Sequence, residues 1–517
     1  MASPAIALPP LEPGARRLAT VALSLATFMN VLDTTIANVS LPNIAGDLGV
    51  SPNQGTWVIT SFGVANAIAV PLTGWLSQRF GQVRLFVSSV VLFVIASLLC
   101  GMATSLEMLI AARVLQGAVA GPMIPLSQAL LLQAYPREKA GMALAMWSMT
   151  TLVAPVMGPI LGGWLSDNLS WPWIFYINGP VGLAAAWVSW QLLKHRESPT
   201  RKLPIDKVGL ILLVVWVGAL QIMLDKGKEL DWFASGEIIA LAVVAAVGCA
   251  LFIAWELTED HPVVDLSLFA RPNFLFGVIA LATGYGVFFG TVVVMPLWLQ
   301  QFMGYTATWA GLVTAPIGLL ALLLSPFVGK ILPRSDPRRI ATVAFLVFAL
   351  VSFMRSGFST GIAPVDVVIP QLIQGIAMAC FFIPLVSIVL SGLPMERIPS
   401  ASGVSNFVRI TFGAFGASLM TTLWERRAAL HHEHLAARIA PDNPLAGQAL
   451  DGLHAQGLEL ARGLALLERE VTVQAFSLAV NDVFWLSGWL FLALLATIWL
   501  TRPIHSRPAG APADAAH

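Results

Sequence analysis

Residues 18–41, LATVALSLATFMNVLDTTIANVSL, form an apolar run that holds a single ionisable side chain, Asp33. A helix needs about 20 apolar residues to cross the hydrocarbon core of a bilayer, and its backbone groups must be satisfied within the helix. The run therefore predicts a membrane-spanning helix, and with it the class of fold that the rest of the chain completes.

The composition of the whole chain agrees with a membrane protein. Of 517 residues, 57% are hydrophobic and only 11% are charged, whereas about 25% of residues are charged in a typical soluble domain. A net charge of +1 argues against a nucleic-acid partner. We therefore predict an all-α polytopic membrane protein that uses lipid as the solvent for most of its surface.

Apolar runs like the first recur along the chain and predict fourteen spans. Lys and Arg are enriched in the cytoplasmic loops of membrane proteins. With a cytoplasmic amino terminus, the cytoplasmic segments hold 19 of the 29 basic residues, and the short outer loops hold three, Lys226, Lys228 and Arg355. Both tails, 1–17 and 502–517, are therefore predicted to be cytoplasmic. The predicted spans are 18–41, 55–77, 84–102, 106–133, 141–166, 173–193, 206–224, 236–256, 274–300, 309–331, 338–356, 364–392, 400–423 and 476–501.

An internal repeat relates the two ends of the chain. The second span ends PLTGWLSQRFGQVR and the tenth ends SPFVGKILPRSDPRR, and VLQGAVAGPMIPL in the fourth span is similar to LIQGIAMACFFIPL in the twelfth. Repeats of this kind are the expected architecture of secondary transporters. They predict two six-helix bundles, 18–193 and 274–501, with two linker helices in 206–256. The matched positions are Pro71 with Pro326, Gly74 with Gly329, Arg84 with Arg339, Gln116 with Gln374 and Gly117 with Gly375.

Known sequence signatures of enzymes are missing from the chain. There is no GxxxxGK[ST], GxGxxG, GxSxG, HExxH or CxxC motif. Cys100, Cys249 and Cys380 lie in separate apolar runs and are predicted to be buried free thiols, with neither a disulfide nor a metal site. We expect no enzymatic activity and no cofactor, so an ion gradient is left as the energy source.

Asp33 is the first candidate for coupling to that gradient. A charge at the centre of a bilayer costs about 2.5–3.5 kcal/mol or more, so an acid there is functional by default. The sequence predicts one polar stripe of Asn30, Asp33, Thr34 and Asn38 on the first span. Asp33 could bind and release a proton as water reaches it from alternate sides. The alternative is a fixed polar contact that never titrates.

Two arginines also fall inside predicted spans. Arg113 shares a helix face with Gln116 and the small pair Gly117 and Gly121, so that face is predicted to be internal and Arg113 to need a carboxylate or carbonyl partner. Arg409 is a candidate counter-charge or substrate contact in the second half, together with Gln374. For each arginine, snorkelling toward the nearer membrane surface is the alternative.

These motifs together resemble those of a known family. The stretches LDTTIANVSLP, GWLSQRFGQVR, RVLQGAVAGP and APVMGPILGGW resemble the motifs of the drug:proton antiporters with fourteen spans in the major facilitator superfamily. The stretches QGTWVITSFGVANAI and QIMLDKGKELDWF are similar to those of EmrB-type multidrug efflux subunits. The resemblance covers nearly the whole chain and implies a transporter of the bacterial inner membrane.

The resemblance also implies roles for individual residues. It implies proton coupling at Asp33 and a conformational role for Arg113. Three glycines and two prolines in the fifth span also predict a helix that packs closely and bends, or else a plain packing kink. In the loop motif the usual acidic position is Gln78, which puts a salt-bridge latch there in doubt. The implied interface residues are Pro155, Gly158, Pro159, Gly162 and Gly163, and the matching loop residues are Gly74, Arg79, Gly81 and Arg84.

Candidate substrate contacts lie on the predicted cavity helices, because Met and aromatic side chains adapt to varied shapes. Lipid-facing positions are the alternative for each. We also assign Gln116 and Gln128 to the polar lining of this cavity. The candidates are Phe28, Met29, Met146, Trp147 and Met149.

The segment 424–475 is longer than the other outer loops. It predicts an external hairpin of two amphipathic helices, 424–440 and 446–475, joined by the turn PDNP. Its cluster His431, His432, Glu433 and His434 is interpreted as a solvated face rather than a metal site, because adjacent side chains point to different sides of a helix. The resemblance implies a periplasmic membrane-fusion adaptor at this surface and, through it, an outer-membrane channel.

The function predicted from the sequence is proton-coupled export of hydrophobic and amphipathic drugs by rocking of the two bundles. One alternative is a nutrient-importing symporter of the same fold, which a polar substrate site would favour. Another is a membrane scaffold or receptor without transport. The intramembrane Asp33 and Arg113 argue against a scaffold, since it need not bear the cost of burying them.

Overall fold

The computed structural model describes residues 11–136, 139–201, 204–439, 443–455 and 459–503, without the side chains of 52, 53, 152, 155, 156, 159, 167, 307 and 308. All regular structure in these ranges is helical, as expected for an all-α membrane protein. The predicted tails 1–17 and 502–517 fall largely outside the described residues, and the first helix already begins at Pro13.

The first half of the chain contains ten helices, two of them single turns at Pro52–Gly55 and Trp173–Tyr176. Two predicted spans are broken. The span 55–77 bends by 62° between α3 and α4, and the span 106–133 is interrupted at Gly121 and Pro122, because proline removes a helical hydrogen bond. The helices are α1 Pro13–Asp47, α2 Pro52–Gly55, α3 Trp57–Ala69, α4 Thr73–Phe80, α5 Gln82–Gly101, α6 Leu106–Ala120, α7 Met123–Ala134, α8 Ala140–Asn168, α9 Trp173–Tyr176 and α10 Asn178–Leu193.

Ten further helices follow in the described part of the chain. Two of them, α11 and α12, pack against each other as a pair between the two repeats. The remaining eight belong to the second repeat and the segment that follows it. These helices are α11 Lys207–Lys226, α12 Gly236–Thr258, α13 Pro272–Gln301, α14 Ala307–Thr314, α15 Pro316–Ile331, α16 Pro337–Arg355, α17 Pro364–Val389, α18 Ile398–Ala436, α19 Pro444–Ala455 and α20 Leu460–Trp499.

The predicted number of spans is not confirmed. Within the described ranges, ten helices are long and apolar enough to cross a membrane, or eleven if the bent pair α3 and α4 forms one span. The other predicted spans, 141–166, 173–193 and 400–423, coincide with α8, α10 and part of α18. Helix α10 has only 16 residues, and α18 is less apolar because it carries polar side chains such as Asn406 and Arg409.

The external segment 424–475 differs from the predicted separate hairpin. Helix α18 runs without a break from Ile398 to Ala436, and α20 runs from Leu460 to Trp499. No proline or glycine occurs in 424–436 to end α18 at the predicted limit of the span. The spans themselves therefore project as long helices, with the short α19 between them. Residues 441 and 442 of the PDNP turn lie outside the described residues.

Helices of each repeat pack mainly with one another. In the first repeat α1 packs on α8 and α10, and α3 packs on α6; in the second, α13 packs on α18 and α16 on α17 and α20. The two sets meet where α8 contacts α15 and α17, and where α18 contacts α4 and α7. The division into bundles and linker at the predicted residue limits stays a prediction.

Glycines allow the two sets of helices to touch at one end of the molecule. This end, the basic side, carries Arg79, Arg84 and Arg334. A Cβ on Gly141 of α8 would lie 2.6 Å from the carbonyl oxygen of Gly329 in α15. A Cβ on Gly74 would lie 2.7 Å from the Cβ of Ser400, and one on Gly403 would lie 2.9 Å from the oxygen of Val70. The helices are therefore in backbone contact on the basic side.

Glycines also set the closest crossing within the second repeat, between α13 and α18. A Cβ on Gly416 would overlap the carbonyl oxygen of Gly286, and a Cβ on Gly290 would lie 2.6 Å from the carbonyl oxygen of Gly416. Small residues that let backbones approach are the main means of helix association in membranes, because lipid leaves no hydrophobic driving force between helices.

We predict that Gly416→Ala lowers the apparent Tm of the purified protein in detergent. The added methyl overlaps the Gly286 backbone, and overpacking of this kind costs about 1–3 kcal/mol. The control is Gly218→Ala on α11, where nothing lies within 4 Å of the added carbon. That control should leave Tm unchanged or raise it, and equal Tm values for the two variants would contradict the predicted crossing.

Candidate functional site

The centre of the first repeat is a buried ion pair between Asp33 of α1 and Arg113 of α6. The Arg113 Nη1 donates to Asp33 Oδ2 at 2.5 Å, and the two side chains are 1% and 0% exposed. The pair neutralises two charges that would each be costly to bury alone. It also ties two helices together whose residues lie 80 positions apart in sequence.

Two amides complete the coordination of the Asp33 carboxylate. Gln116 Nε2 and Asn178 Nδ2 each donate to Asp33 Oδ1 at 3.0 Å. Asn178 also donates to Ser97 Oγ at 2.9 Å, and the Cys100 thiol donates to Gln116 Oε1 at 3.4 Å. All of these side chains are buried. Helices α1, α5, α6 and α10 thus meet in one polar network, and its donors favour the ionised carboxylate.

Arg113 has further partners on α3. Its Nε donates to the carbonyl oxygen of Val58 at 3.0 Å, and its guanidinium lies 4.2 Å from the centre of the Phe62 ring. The predicted close approach at Gly117 exists, since a Cβ there would overlap the carbonyl oxygen of Phe62. The structure thus provides Arg113 with both a carboxylate and a carbonyl, and Arg113 does not snorkel to a surface.

The predicted polar stripe on α1 divides into two faces. Asn30 is buried and donates to the Ala120 carbonyl at 3.1 Å, on the same side as Asp33. Thr34 donates to the Val31 carbonyl of its own helix, and Asn38 is exposed. At 100° per residue, Asp33 and Asn38 are about 140° apart, so the prediction of one stripe was wrong for Thr34 and Asn38.

The glycines of the fifth-span motif pack α8 against α1 beside Asp33. A Cβ on Gly158 would overlap the Thr35 hydroxyl, and one on Gly162 would lie 2.9 Å from the carbonyl oxygen of Ile36. Gly163 has nothing within 4 Å and therefore does not share this contact. The side chains of Pro155 and Pro159 lie outside the described residues.

The loop motif builds the start of α5. Gly81 has a φ of 88°, which favours glycine, and Glu197 accepts from the backbone N–H groups of Val83 at 3.0 Å and Arg84 at 2.8 Å. Arg79 lies over the Trp75 ring at 5.3 Å. A carboxylate from the loop after α10 thus sits at this helix N-terminus, a favourable place for an anion, although position 78 is glutamine.

The second repeat places a carboxylate in the same position. Asp336 caps α16 by accepting from the Arg338 N–H at 3.0 Å. Hydrogen bonds from the Arg338 side chain, opposed by partial burial, lower the pKa of Asp336. Both loop regions therefore start the next helix with an acid, but only the second acid lies in the loop itself.

Two arginines of the second repeat are buried. Arg355, which we predicted in an outer loop, is the last residue of α16 and is 3% exposed. Its Nη2 donates to Gln374 Oε1 at 2.5 Å. That prediction was wrong because the apolar run 338–356 continues to the helix end and turns Arg355 inward. Arg409 is 7% exposed and donates to Asn406 Oδ1 at 2.9 Å, so it does not snorkel.

The candidate cavity residues have mixed environments. Met29 and Trp147 are 1% exposed, and the Trp147 Nε1 donates to Ser127 Oγ at 3.2 Å. These two side chains belong to the packed interior of the first repeat in this conformation and do not line an open cavity. Gln128 is also buried and accepts from Ser402 at 2.6 Å, across the two repeats. Phe28, Met146 and Met149 are partly exposed.

The histidines and cysteines hold no metal cluster in the described residues. His431 lies 2.8 Å from Asp482 and His432 lies 2.9 Å from Glu468, so both contact α20 rather than solvent alone. The interpretation as a plain solvated face was wrong for these two side chains. The cysteines are free, and Cys100 is buried, but Cys249 and Cys380 are only partly buried.

Sequence analysis missed several members of the polar network. Asn178 was detectable as a polar side chain within an apolar span, as was Arg355 by its place at the end of one. Glu197 gives no signal in the sequence, because its partners are backbone groups more than 100 residues away.

We predict that Arg113→Gln destabilises the protein by about 3–5 kcal/mol, because it leaves the Asp33 carboxylate buried without a counter-charge. The double variant Asp33→Asn, Arg113→Gln should recover part of that loss. Thermal unfolding of the purified variants measures both. Lys228→Gln, which breaks an exposed pair with Glu425, is the control and should cost less than about 1 kcal/mol. A double variant no more stable than Arg113→Gln would contradict the coupling.

Comparison with known families and structures places this geometry in context. The family model described as Major Facilitator Superfamily matches residues 23–417. The human organic anion transporter MFSD10 (TETRAN) superposes with a TM-score of 0.57 at 15% identity, covering 93% of this chain and 100% of that chain. A double-tryptophan mutant of XylE superposes with a TM-score of 0.58 at 14% identity, covering 94% and 96%. At these identities the structures show the fold alone.

Relatives at higher identity narrow the assignment. The Multidrug export protein EmrB of Haemophilus influenzae is 54% identical over 97% of this chain and 99% of its own length. EmrB of Escherichia coli is 50% identical over 96% and 97%. The Fatty acid resistance protein FarB of Neisseria gonorrhoeae is 49% identical over 97% and 99%. With an all-helical fold and an intramembrane ion pair, the chain belongs to the Major Facilitator Superfamily, as an EmrB-type transporter.

Proposed function

We propose that this protein exports hydrophobic and amphipathic drugs across the bacterial inner membrane in exchange for protons. Export is supported by relatives named for multidrug export and fatty acid resistance at 49–54% identity over almost their whole length. The proton as driving ion is supported by one observation, the buried carboxyl of Asp33 inside a transport fold. The sequence-level alternatives of a nutrient importer and a scaffold gain no support from these relatives.

The geometry suggests how Asp33 takes part in the cycle. Its carboxylate is sealed by three donors and by the packing of α8 glycines on Thr35 and Ile36. In this conformation water does not reach it, so proton exchange requires that α1 move relative to α6 or α8. Protonation neutralises the carboxylate and weakens its bond to Arg113, which links the proton to the helix packing.

The basic side gives the second half of the mechanism. With both loop regions cytoplasmic, the glycine contacts of α8 with α15 and of α4 with α18 close the cytoplasmic side. Contacts made by backbone atoms hold little side-chain area, so they can separate and re-form as the repeats rock. A proton enters from the outside, drug leaves, and the return releases the proton to the cytoplasm.

The external helices supply the proposed docking surface for a partner. Helices α18 and α20 continue past the predicted spans and are joined by pairs such as Arg427 with Asp482 at 2.6 Å. A rigid helical projection fits a periplasmic membrane-fusion adaptor, which in turn would reach an outer-membrane channel. Both termini are cytoplasmic in this arrangement.

We predict that Asp33→Asn abolishes gradient-driven transport. In everted vesicles carrying a fluorescent hydrophobic dye, an imposed pH gradient should move the dye with wild type and at least about tenfold more slowly with Asp33→Asn, because the variant cannot carry a proton. Asp47→Asn, an exposed acid on the same helix, is the matched control. Equal gradient-driven movement with Asp33→Asn and wild type would remove Asp33 from the mechanism.

We predict that Gly141→Leu holds the cytoplasmic side open, because the added side chain cannot fit against Gly329. Dye transport should fall by about tenfold or more, while dye binding from the cytoplasmic face persists. A cysteine placed at Ser400 in a cysteine-free background should then react faster with a membrane-impermeant maleimide in everted vesicles.

The control for Gly141→Leu is Gly311→Leu on α14, where an added carbon meets nothing within 4 Å. It should leave both transport and labelling at the levels of the unmodified protein. Unchanged labelling at position 400 in Gly141→Leu would contradict closure at the α8–α15 contact.

A further inference from the structure

Arg409 is a buried cation without an anionic partner in the described part of the chain. Its guanidinium is 7% exposed, and no carboxylate there lies within ion-pair distance of it. Arg113 in the first repeat is equally buried but is neutralised by Asp33. An unpaired charge inside a membrane protein is expensive and marks a functional site by default, so Arg409 needs a different explanation from Arg113.

The surroundings of Arg409 are aromatic. The guanidinium lies 4.7 Å from the centre of the Tyr285 ring and 5.8 Å from that of Phe382. Tyr285 stacks on Phe289 with ring centres 5.6 Å apart. The polar contact is with the amide oxygen of Asn406, which leaves further N–H donors of the guanidinium available. A cation set in a wall of aromatic rings suits a ligand with an anionic head and an apolar body.

Arg409 faces the first repeat. Ser402, Asn406 and Arg409 share one face of α18, because seven residues make nearly two complete turns. Ser402 donates to Gln128 Oε1 of α7 at 2.6 Å, so this face points across the interface between the repeats. Arg409 lies about 10 Å along the helix from Ser402, at a position that rocking of the repeats would uncover.

A second unfilled donor lies on the facing helix. The Nε2 of Gln128 is buried and has no hydrogen-bond partner, and the Gln128 side chain is 1% exposed. A buried donor without an acceptor is costly. Two donor groups on opposite sides of one interface, one of them charged, call for a ligand that brings acceptor oxygens.

The other unpaired arginine of this repeat differs in place. Arg355 donates to Gln374 of α17 and lies 5.7 Å from the Phe484 ring of α20. These helices pack on α16 within the second repeat, so Arg355 ties one repeat together internally. Arg409 alone of the two lies on the face of α18 that meets the first repeat.

We infer that Arg409 binds the anionic group of the transported molecule, so that the protein selects amphipathic anions such as long-chain carboxylates over neutral compounds of the same shape. This rests on the proposed export function and deepens it by naming the substrate class. The guanidinium holds the carboxylate, the rings of Tyr285, Phe289 and Phe382 cover the adjoining apolar chain, and proton coupling stays with Asp33 in the other repeat.

The test compares a fluorescently labelled long-chain fatty acid with its methyl ester, two probes that differ only in the charged group. Fluorescence polarisation with the purified full-length protein should show that wild type binds the acid at least about tenfold more tightly than the ester. Arg409→Gln should lower the affinity for the acid to that for the ester and leave ester binding unchanged, which also shows that the variant is folded. Arg409→Lys should keep part of the preference.

Arg334→Gln, an exposed change on the basic side, is the charge-matched control and should behave as wild type. Equal binding of acid and ester by wild type would overturn the inference without any variant. A loss of both affinities in a folded Arg409→Gln protein would assign Arg409 a structural role instead. Asp33→Asn should keep the preference for the acid while losing gradient-driven transport, so failure of proton coupling and failure of anion recognition give different results.

Discussion

The buried ion pair of Asp33 and Arg113 is the interaction on which the first repeat depends. Neither charge can stay in the membrane alone at acceptable cost, so each fixes the position of the other. The amides of Gln116 and Asn178 and the Val58 carbonyl then use up the remaining donors and acceptors. Because these groups come from four helices, a change in the charge of one carboxyl alters the packing of the entire repeat, which is the property that a coupled transporter requires.

The two repeats distribute charge differently, although they share one architecture. The first repeat neutralises its buried arginine internally. In the second, Arg409 and Arg355 are held by amides and aromatic rings. This asymmetry separates two tasks that one site could not perform at once, since a carboxyl committed to Arg113 and the proton is unsuited to attract an anion. The repeat that couples and the repeat that recognises can then move against each other.

Glycine contacts make that movement possible. Backbone approach at Gly141 and Gly329 and at Gly74 and Ser400 closes one side through atoms that cannot interdigitate deeply. Gly158 and Gly162 bring the same helix, α8, against α1 beside the ion pair. One helix thus touches both the coupling site and the closing contact, so a shift at either is felt at the other.

The sequence by itself determined the all-helical membrane class, the internal repeat, and Asp33 and Arg113 as the ionised groups of the first repeat, because hydropathy, spacing and burial cost are properties of single helices. Only the tertiary structure decided that Asn178 joins the carboxylate, that Asn38 leaves its predicted stripe, and that Arg355 turns inward. It also decided that α18 and α20 continue past the predicted spans. These features depend on which face of one helix meets another far away in sequence, and the periodicity of a single helix holds no information about its neighbours.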